Sequence, residues 1–188
     1  MARVPYVDVE SCRDASLAQT FRAIGEVRGS VSNLFRLVAQ CPAGLGPFFG
    51  LSTFVREGSS IHPRVREIAI LVTAYRLDVP YEVAAHTVAG RAAGLTDQEL
   101  SVLACGNDTG FSATERAVIH YATEVAHERT VSDFTFAELR EQMSETQVVE
   151  LALVVAWYHL VTAVVVPLHI DLDPELKGAF GNTDVRNG

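Results

Sequence analysis

Apolar residues along this chain recur at helical spacing. Leu17, Phe21, Ile24 and Val27 fall three or four apart before Gly29 interrupts them. A short apolar helix over Asn33–Ala39 is stopped by Cys41-Pro42, and a phenylalanine-rich run (Leu45, Phe48, Phe49, Phe54, Val55) ends at Gly58-Ser59-Ser60. Pro63 stands where a helix tolerates proline, in the first turn, and introduces a helix over Arg64–Leu77. Asp78-Val79-Pro80 breaks it, and Pro80 starts another that runs to Ala93, capped by Gly94. In the second half Thr96-x-x-Glu99, Ser112-x-x-Glu115, Thr135-x-x-Glu138 and Ser144-x-x-Gln147 each read as a capping box ahead of apolar periodicity. Leu151–Val166 is apolar except for Tyr158, His159 and Thr162. It falls short of the roughly 20 residues that cross a bilayer, so it predicts a buried central helix, ending before Pro167. From Asp173 onward the pattern is loop and frayed end. No strand-like alternation and no repeat intervene. The expectation is an all-α, single-domain bundle of about seven or eight helices over 1–188. Within it, 1–29 form an N-terminal helical extension and 175–188 a flexible tail.

Composition narrows the classes. With 188 residues, 48% of them apolar, the chain can bury a core and is not disordered. Fifteen basic against 23 acidic residues give a net charge of −8, which disfavours binding to nucleic acid phosphates. Three scattered cysteines (Cys12, Cys41, Cys105) without a C-x-x-C argue against a disulfide framework and fit a reducing compartment. The N-terminal residues carry acids early and lack an apolar signal-peptide core, so a cytoplasmic location, away from any membrane, is expected.

The sharpest local anomaly is Glu67. On a helical wheel Ile68, Ile70, Leu71, Val72, Ala74 and Leu77 cover nearly the whole circumference of its helix, and Glu67 points into an apolar sector. Burial there raises a carboxyl pKa unless the group is paired. On the next helix Glu82 and His86 lie four apart on one face, with Ala85, Ala89, Gly90 and Ala93 as small neighbours. A hairpin at Asp78–Pro80 lets Glu67, Glu82 and His86 converge, and two carboxylates beside an imidazole suit proton transfer at neutral pH. The plainer alternative is a helical i,i+4 pair and an unrelated core glutamate.

These same residues carry a family resemblance. R-E-I-A-I-L (Arg66–Leu71), Y-E-V-A-A-H (Tyr81–His86) and A-G-L-T-D-Q-E-L (Ala93–Leu100) resemble the carboxymuconolactone decarboxylase family. So do A-T-E-R-A-V (Ala113–Val118), R-T-V-S-D-F-T-F-A-E-L (Arg129–Leu139), W-Y-H-L-V (Trp157–Val161) and D-L-D-P (Asp171–Pro174). Upstream, N-L-F-R-L-V (Asn33–Val38) fits the longer members, so the resemblance spans residues 30–174. The related alkylhydroperoxidase D has a glutamate, a C-x-x-C and a following histidine. Its glutamate falls on Glu67, its histidine on His86, and its two cysteines on Val79 and Glu82. Without those thiols, disulfide redox chemistry has neither attacking nor resolving sulfur. Cys105 lies where the family keeps no thiol and reads as a buried or loop cysteine.

The resemblance implies an alkylhydroperoxidase D-like bundle, no metal, no cofactor, and a homo-oligomer (trimer or hexamer). The expected function is a cofactor-free lyase or isomerase acting on a small carboxylated lactone or keto acid, by decarboxylation, dehydration or cyclisation, including secondary-metabolism substrates. His86 is the expected acid or base, Glu67 its orienting partner, and Glu82 the second proton carrier. Tyr75, Tyr81, Tyr158, His159 and Arg66 are candidate substrate contacts, and Arg56, Arg64, Arg66, Arg76 or Arg91 is expected to clamp a carboxylate. A non-catalytic small-molecule binder on the same scaffold is the alternative. A residual thiol reductase using Cys105 ranks below both. His120, Glu124 and His127 read as a solvated face, and His62 and His169 carry no signal.

Overall fold

The computed structural model describes residues 1–176, so the sequence-expected tail beyond 176 lies outside the described residues. Nine α-helices follow in chain order: α1 Ala15–Arg28, α2 Asn33–Val38, α3 Pro42–Thr53, α4 Pro63–Arg76, α5 Pro80–Ala92, α6 Asp97–Ala104, α7 Ala113–Glu128, α8 Asp133–Gln142 and α9 Glu145–Leu168. A π-helical turn, Phe54–Gly58, continues α3, and a 3₁₀ turn, Pro174–Leu176, follows α9. No strand occurs among the described residues. The fold is the expected all-α bundle, with nine α-helices among the described residues where seven or eight were expected.

α4 is the axle. It packs against α5, α6, α7 and α9, and every residue from Glu67 to Ala74 is buried. Each buried Leu, Ile or Val contributes about 1.5–3 kcal/mol relative to exposure. The chain enters α4 through Pro63 at N1, after His62 caps the helix by accepting the Arg64 N–H on Nδ1. It leaves through a Schellman turn in which Val79 N–H reaches the Ala74 carbonyl (3.0 Å) and Asp78 adopts a left-handed φ of 52°. That turn folds α5 back along α4. Close approach depends on Gly90, where an added Cβ would meet Leu95 at 3.0 Å and Leu71 at 3.2 Å.

Three of the four expected capping boxes form, at Thr96, Ser112 and Ser144. The fourth does not: Ser132 caps α8, and Thr135, one turn in, donates its hydroxyl to Glu124. Both hydroxyl residues fit the local pattern, and the Glu124 carboxylate on α7, which also accepts from Ser132 N–H, selects the earlier start. Likewise α9 runs through Pro167 to Leu168 rather than stopping before it. Proline here falls in the last turn, where only one intrahelical bond is lost. Nor is α9 wholly buried. Leu151, Val154, Val155, Trp157, Tyr158, Val161 and Val165 face the core, while Val149, Leu153, Leu160 and Val166 are exposed. It is long and apolar enough to cross a membrane, yet one face of it belongs to the core.

A smaller cluster (Leu17, Phe21, Ile24, Phe35, Ala39, Leu45) joins α1, α2 and α3. Phe48 links it to the main core by packing against Trp157 at 4.5 Å between ring centroids. The N-terminal residues run alongside the end of α9, with Arg3 N–H on the Leu168 carbonyl and Tyr6 hydroxyl on Asp171. The His120 face is more structured than its exposed pattern implies, because His120 bridges Asp108 (3.0 Å) and Glu138 (3.3 Å).

Arg64 ties the start of α4 to two capping boxes at once. Its guanidinium donates to Glu99 of the α6 box, to Glu115 of the α7 box (2.7 Å) and to the Gly94 carbonyl. The Arg64 hydrogen bond, with Thr96, holds the Glu99 carboxyl down to about 2. A depressed carboxyl stabilises the fold above its unfolded value and loses that contribution as pH falls through the folded one. Arg64→Ala should therefore cost about 2 kcal/mol at neutral pH. Urea unfolding at neutral and at acidic pH should show the gap from wild type closing as the pH drops below the ordinary glutamate range toward about 2.

Candidate functional site

Glu67 projects from the second turn of α4, and α5 brings His86 to meet it. The contact is short, His86 Nδ1 to Glu67 Oε2 at 2.6 Å, between side chains 5% and 4% exposed. Behind Glu67 stands Arg66, its Nε 3.9 Å from Glu67 Oε1. On the other side of the imidazole, Nε2 lies 3.5 Å from Glu82 Oε2, one helical turn back on α5. The Tyr158 ring of α9 meets the His86 ring edge-on, 4.8 Å between centroids at 87°. Glu67, Glu82 and His86 thus converge as their sequence spacing implies.

The two carboxyls are driven apart. Burial pushes Glu67 upward, but His86, by charge and hydrogen bond, and then Arg56 and Arg66 outweigh it, and the group ends below the ordinary glutamate range. Of the outcomes the sequence left open for a buried Glu67, pairing is the one found: its desolvation is real, and its partners exceed it. Glu82 moves the other way. Burial raises it, His86 and Arg56 oppose, and Asp173 adds to the rise. An ionised Glu67 only accepts, so the short contact puts a proton on His86 Nδ1 and leaves Nε2 as the nitrogen that faces Glu82. Two carboxyls shifted in opposite directions across one histidine are the pattern from which environment makes an acid/base assignment.

The cavity, about 370 Å³, is lined by His86 and Glu82 but not by Glu67, which stays behind the imidazole. Trp157, Tyr158, Phe35 and Leu34 form apolar walls, and Arg28, Arg56, Ser52 and Glu57 a polar one. The π-helical turn brings Arg56 into this wall. Among the described residues Arg56 forms no ion pair, whereas Arg28 is held by Glu57 (3.0 Å) and Ser52 (3.2 Å). Tyr81 donates to Asp173 Oδ2 at 2.5 Å, and Asp173 also accepts the Asn33 N–H at 2.6 Å. Burial and then the charge of Asp173 raise the Tyr81 hydroxyl far above its ordinary value, and burial raises Asp173.

Of the other sequence candidates, Tyr81 and Tyr158 line the cavity, while Tyr75, His159 and Arg66 do not. Tyr75 faces Thr87, and burial raises it. His159 is lowered by burial and by Arg129. Among the candidate clamps, Arg64 is committed to Glu99 and Glu115, Arg91 to Asp97, and Arg76 lies beside Gly106. Only Arg56 lines the cavity. Sequence reasoning missed Arg28, whose place before Gly29 reads as an ordinary basic helix end, and Asp173, read as loop although it is buried. None of the three cysteines lines the cavity, and Cys105 is exposed in the turn after α6, the loop position of the two read for it. Among the described residues no group of three His, Cys, Asp or Glu side chains is arranged to hold a metal.

A raised acid favours the folded state below its unfolded pKa and costs stability as pH rises through the folded one. Glu82→Gln should therefore match wild type in acid and gain stability over it as pH increases. Glu67→Gln should be less stable than wild type above the ordinary glutamate range, with the gap closing as pH falls below that range, because Glu67 is the depressed partner. Denaturant melts of both variants across pH check the opposite signs.

Residues 45–124 match the Carboxymuconolactone decarboxylase family. No curated protein matches the chain. Several solved structures share its fold at low identity. A peroxidase-related protein with an alkylhydroperoxidase D core from Ralstonia eutropha JMP134 is 19% identical, with a TM-score of 0.80 over 93% of this chain and 94% of that one. A peroxidase-related protein from Silicibacter sp. TM1040 is 17% identical, with a TM-score of 0.77 over 95% and 98%. The debrominase Bmp8 is 13% identical, with a TM-score of 0.80 over 94% and 95%. A variant of that debrominase has been solved in complex with 2,3,4-tribromopyrrole.

Proposed function

We propose that this chain, which belongs to the carboxymuconolactone decarboxylase and alkylhydroperoxidase D-like superfamily, is an enzyme that moves protons without a thiol or a cofactor. The observation that carries the reading is the 2.6 Å Glu67–His86 contact, buried, with the far side of the imidazole open to a cavity. Glu67 orients the ring and stabilises its protonated form. His86 Nε2 takes a proton from substrate carbon or delivers one to it. Glu82, biased toward its neutral acid, supplies or receives the second proton.

The substrate class is a small carboxylated lactone or keto acid, and the reaction is decarboxylation, dehydration, cyclisation or a related isomerisation. The cavity volume and its aromatic walls suit one small ring. A debrominase of the same fold, bound as a variant to a brominated pyrrole, supports a small planar substrate. Thiol peroxidase chemistry is disfavoured, because a sulfur nucleophile has to face the substrate and this cavity is lined by none.

His86→Gln retains an amide donor for Glu67 and so preserves the fold better than alanine does. Its activity should fall at least about 10²-fold. The assay is a panel of small lactones and keto acids in D₂O, followed by NMR for proton exchange and for carbon dioxide release. Undiminished activity removes His86 from the mechanism.

We also propose a homo-oligomer assembled on the exposed stripe of α9. Val149, Leu153 and Leu160 recur at spacings of four and seven, the pattern of a helix-pairing seam. Sedimentation should give a mass above 20.4 kDa that falls on Leu153→Glu with Leu160→Glu. A wild-type monomer contradicts it.

A further inference from the structure

Beside His86, the cavity wall holds hydrogen-bond donors that protein acceptors do not fully satisfy. Tyr158 is 3% exposed and lines the cavity, yet among the described residues its hydroxyl makes no hydrogen bond. The Nε of Arg28 is buried without a partner, while the other two guanidinium nitrogens are fixed by Glu57 and Ser52. That guanidinium belongs to a side chain only 10% exposed. Arg56 adds a third donor group in the same wall. Buried polar groups are almost always satisfied, so the unpartnered Arg28 Nε, beside a Tyr158 hydroxyl and an Arg56 guanidinium that bond no protein group among the described residues, calls for an oxygen acceptor. The acids of the cavity do not serve. Glu57 is taken by Arg28, Asp173 by Tyr81 and Asn33, Glu175 accepts from Ser30, and Glu82 lies against His86.

We propose that Tyr158, with Arg28 and Arg56, is an oxyanion site that receives the charge developing on a substrate carbonyl oxygen while His86 acts on the adjacent carbon. This rests on the proton-transfer reading above and specifies it: the substrate is a ketone, ester or lactone, and the reaction passes through an enolate. In proton abstraction, His86 Nε2 takes hydrogen from the carbon next to the carbonyl. The C–H pair becomes the enolate double bond, and the carbonyl π pair moves onto oxygen, facing Tyr158. Return of the proton to oxygen gives the enol tautomer, and its return to the opposite face of the carbon inverts that centre. In decarboxylation the C–C bond to the carboxylate breaks instead, carbon dioxide leaves, and the same enolate takes a proton from His86. No oxidant or reductant is consumed. Donors fixed before the charge appears stabilise it without rearrangement, and the tyrosine hydroxyl, buried beside Glu82 and Glu67, stays protonated as a donor must.

The probe is para-nitrophenol, whose phenolate mimics an enolate oxygen and whose colour reports ionisation, with nitrobenzene as the neutral counterpart. Wild type should bind the phenolate at least about tenfold more tightly than nitrobenzene and should ionise bound nitrophenol at a lower pH than in solution. Tyr158→Phe removes a hydroxyl that bonds nothing in the protein, so the fold should survive. It should remove most of that preference, leave nitrobenzene binding unchanged, and slow proton exchange about 10²-fold. Arg56→Gln should also reduce the preference. Equal binding of the two probes by wild type, binding of neither, or a preference unaltered in Tyr158→Phe overturns the proposal. If exchange depends on His86 but no phenolate preference exists, the oxyanion site falls and the proton-transfer reading stands. If the preference depends on Tyr158 but wild type exchanges no proton, the site stands and the proton-transfer reading falls.

Discussion

A carboxylate inside an apolar helix is costly unless something pays for it, and here the payment is His86. α4 is buried along eight consecutive residues, and Glu67 is the one ionisable group among them. Its partner has to come from another helix, at hydrogen-bond range and dry. The Schellman turn at Asp78, the small residue at Gly90 and the antiparallel path of α5 all serve that requirement. Removing either member of such a pair leaves an uncompensated buried charge or an orphaned donor, typically costing about 3–5 kcal/mol. Structure and chemistry therefore constrain the same two side chains.

Once Glu67 is satisfied, the rest of the site follows from what remains around the imidazole. Nδ1 is spent on Glu67, so Nε2 is the free nitrogen. Glu82, buried and lacking a contact as short, is shifted toward its neutral form. The aromatic wall from α9 and the arginines from α1 and the π-helical turn close the cavity around that nitrogen. Elements distant in sequence line one chamber: a base on α5 and donors on α1, α9 and the turn after α3.

This division explains what sequence could and could not reveal. Glu67, Glu82 and His86 sit within 20 residues of one another on two helices joined by a turn, so a wheel and a hairpin bring them together. Local rules likewise located Pro63, Pro80 and three capping boxes. The failures have a common cause. Ser132 rather than Thr135 starts α8 because of a carboxylate on a different helix, and Arg28 and Asp173 enter the cavity only through the packing of the chain's two ends. The direction of the Glu67 shift was also beyond a wheel, which detects burial but cannot count Arg56 and Arg66 around the group. The exposed stripe of α9 was hidden by its uniform apolarity, since a helix apolar all round carries no sign of which face the core takes.

The central claim is that one buried carboxyl is ionised and the other protonated across the same histidine. Infrared difference spectra of wild type against Glu67→Gln and Glu82→Gln at neutral pH test it most directly. Glu82→Gln should remove a protonated carboxyl C=O band that shifts in D₂O, and Glu67→Gln should remove an ionised carboxylate band. Two carboxylate bands, or the assignments reversed, contradict the account.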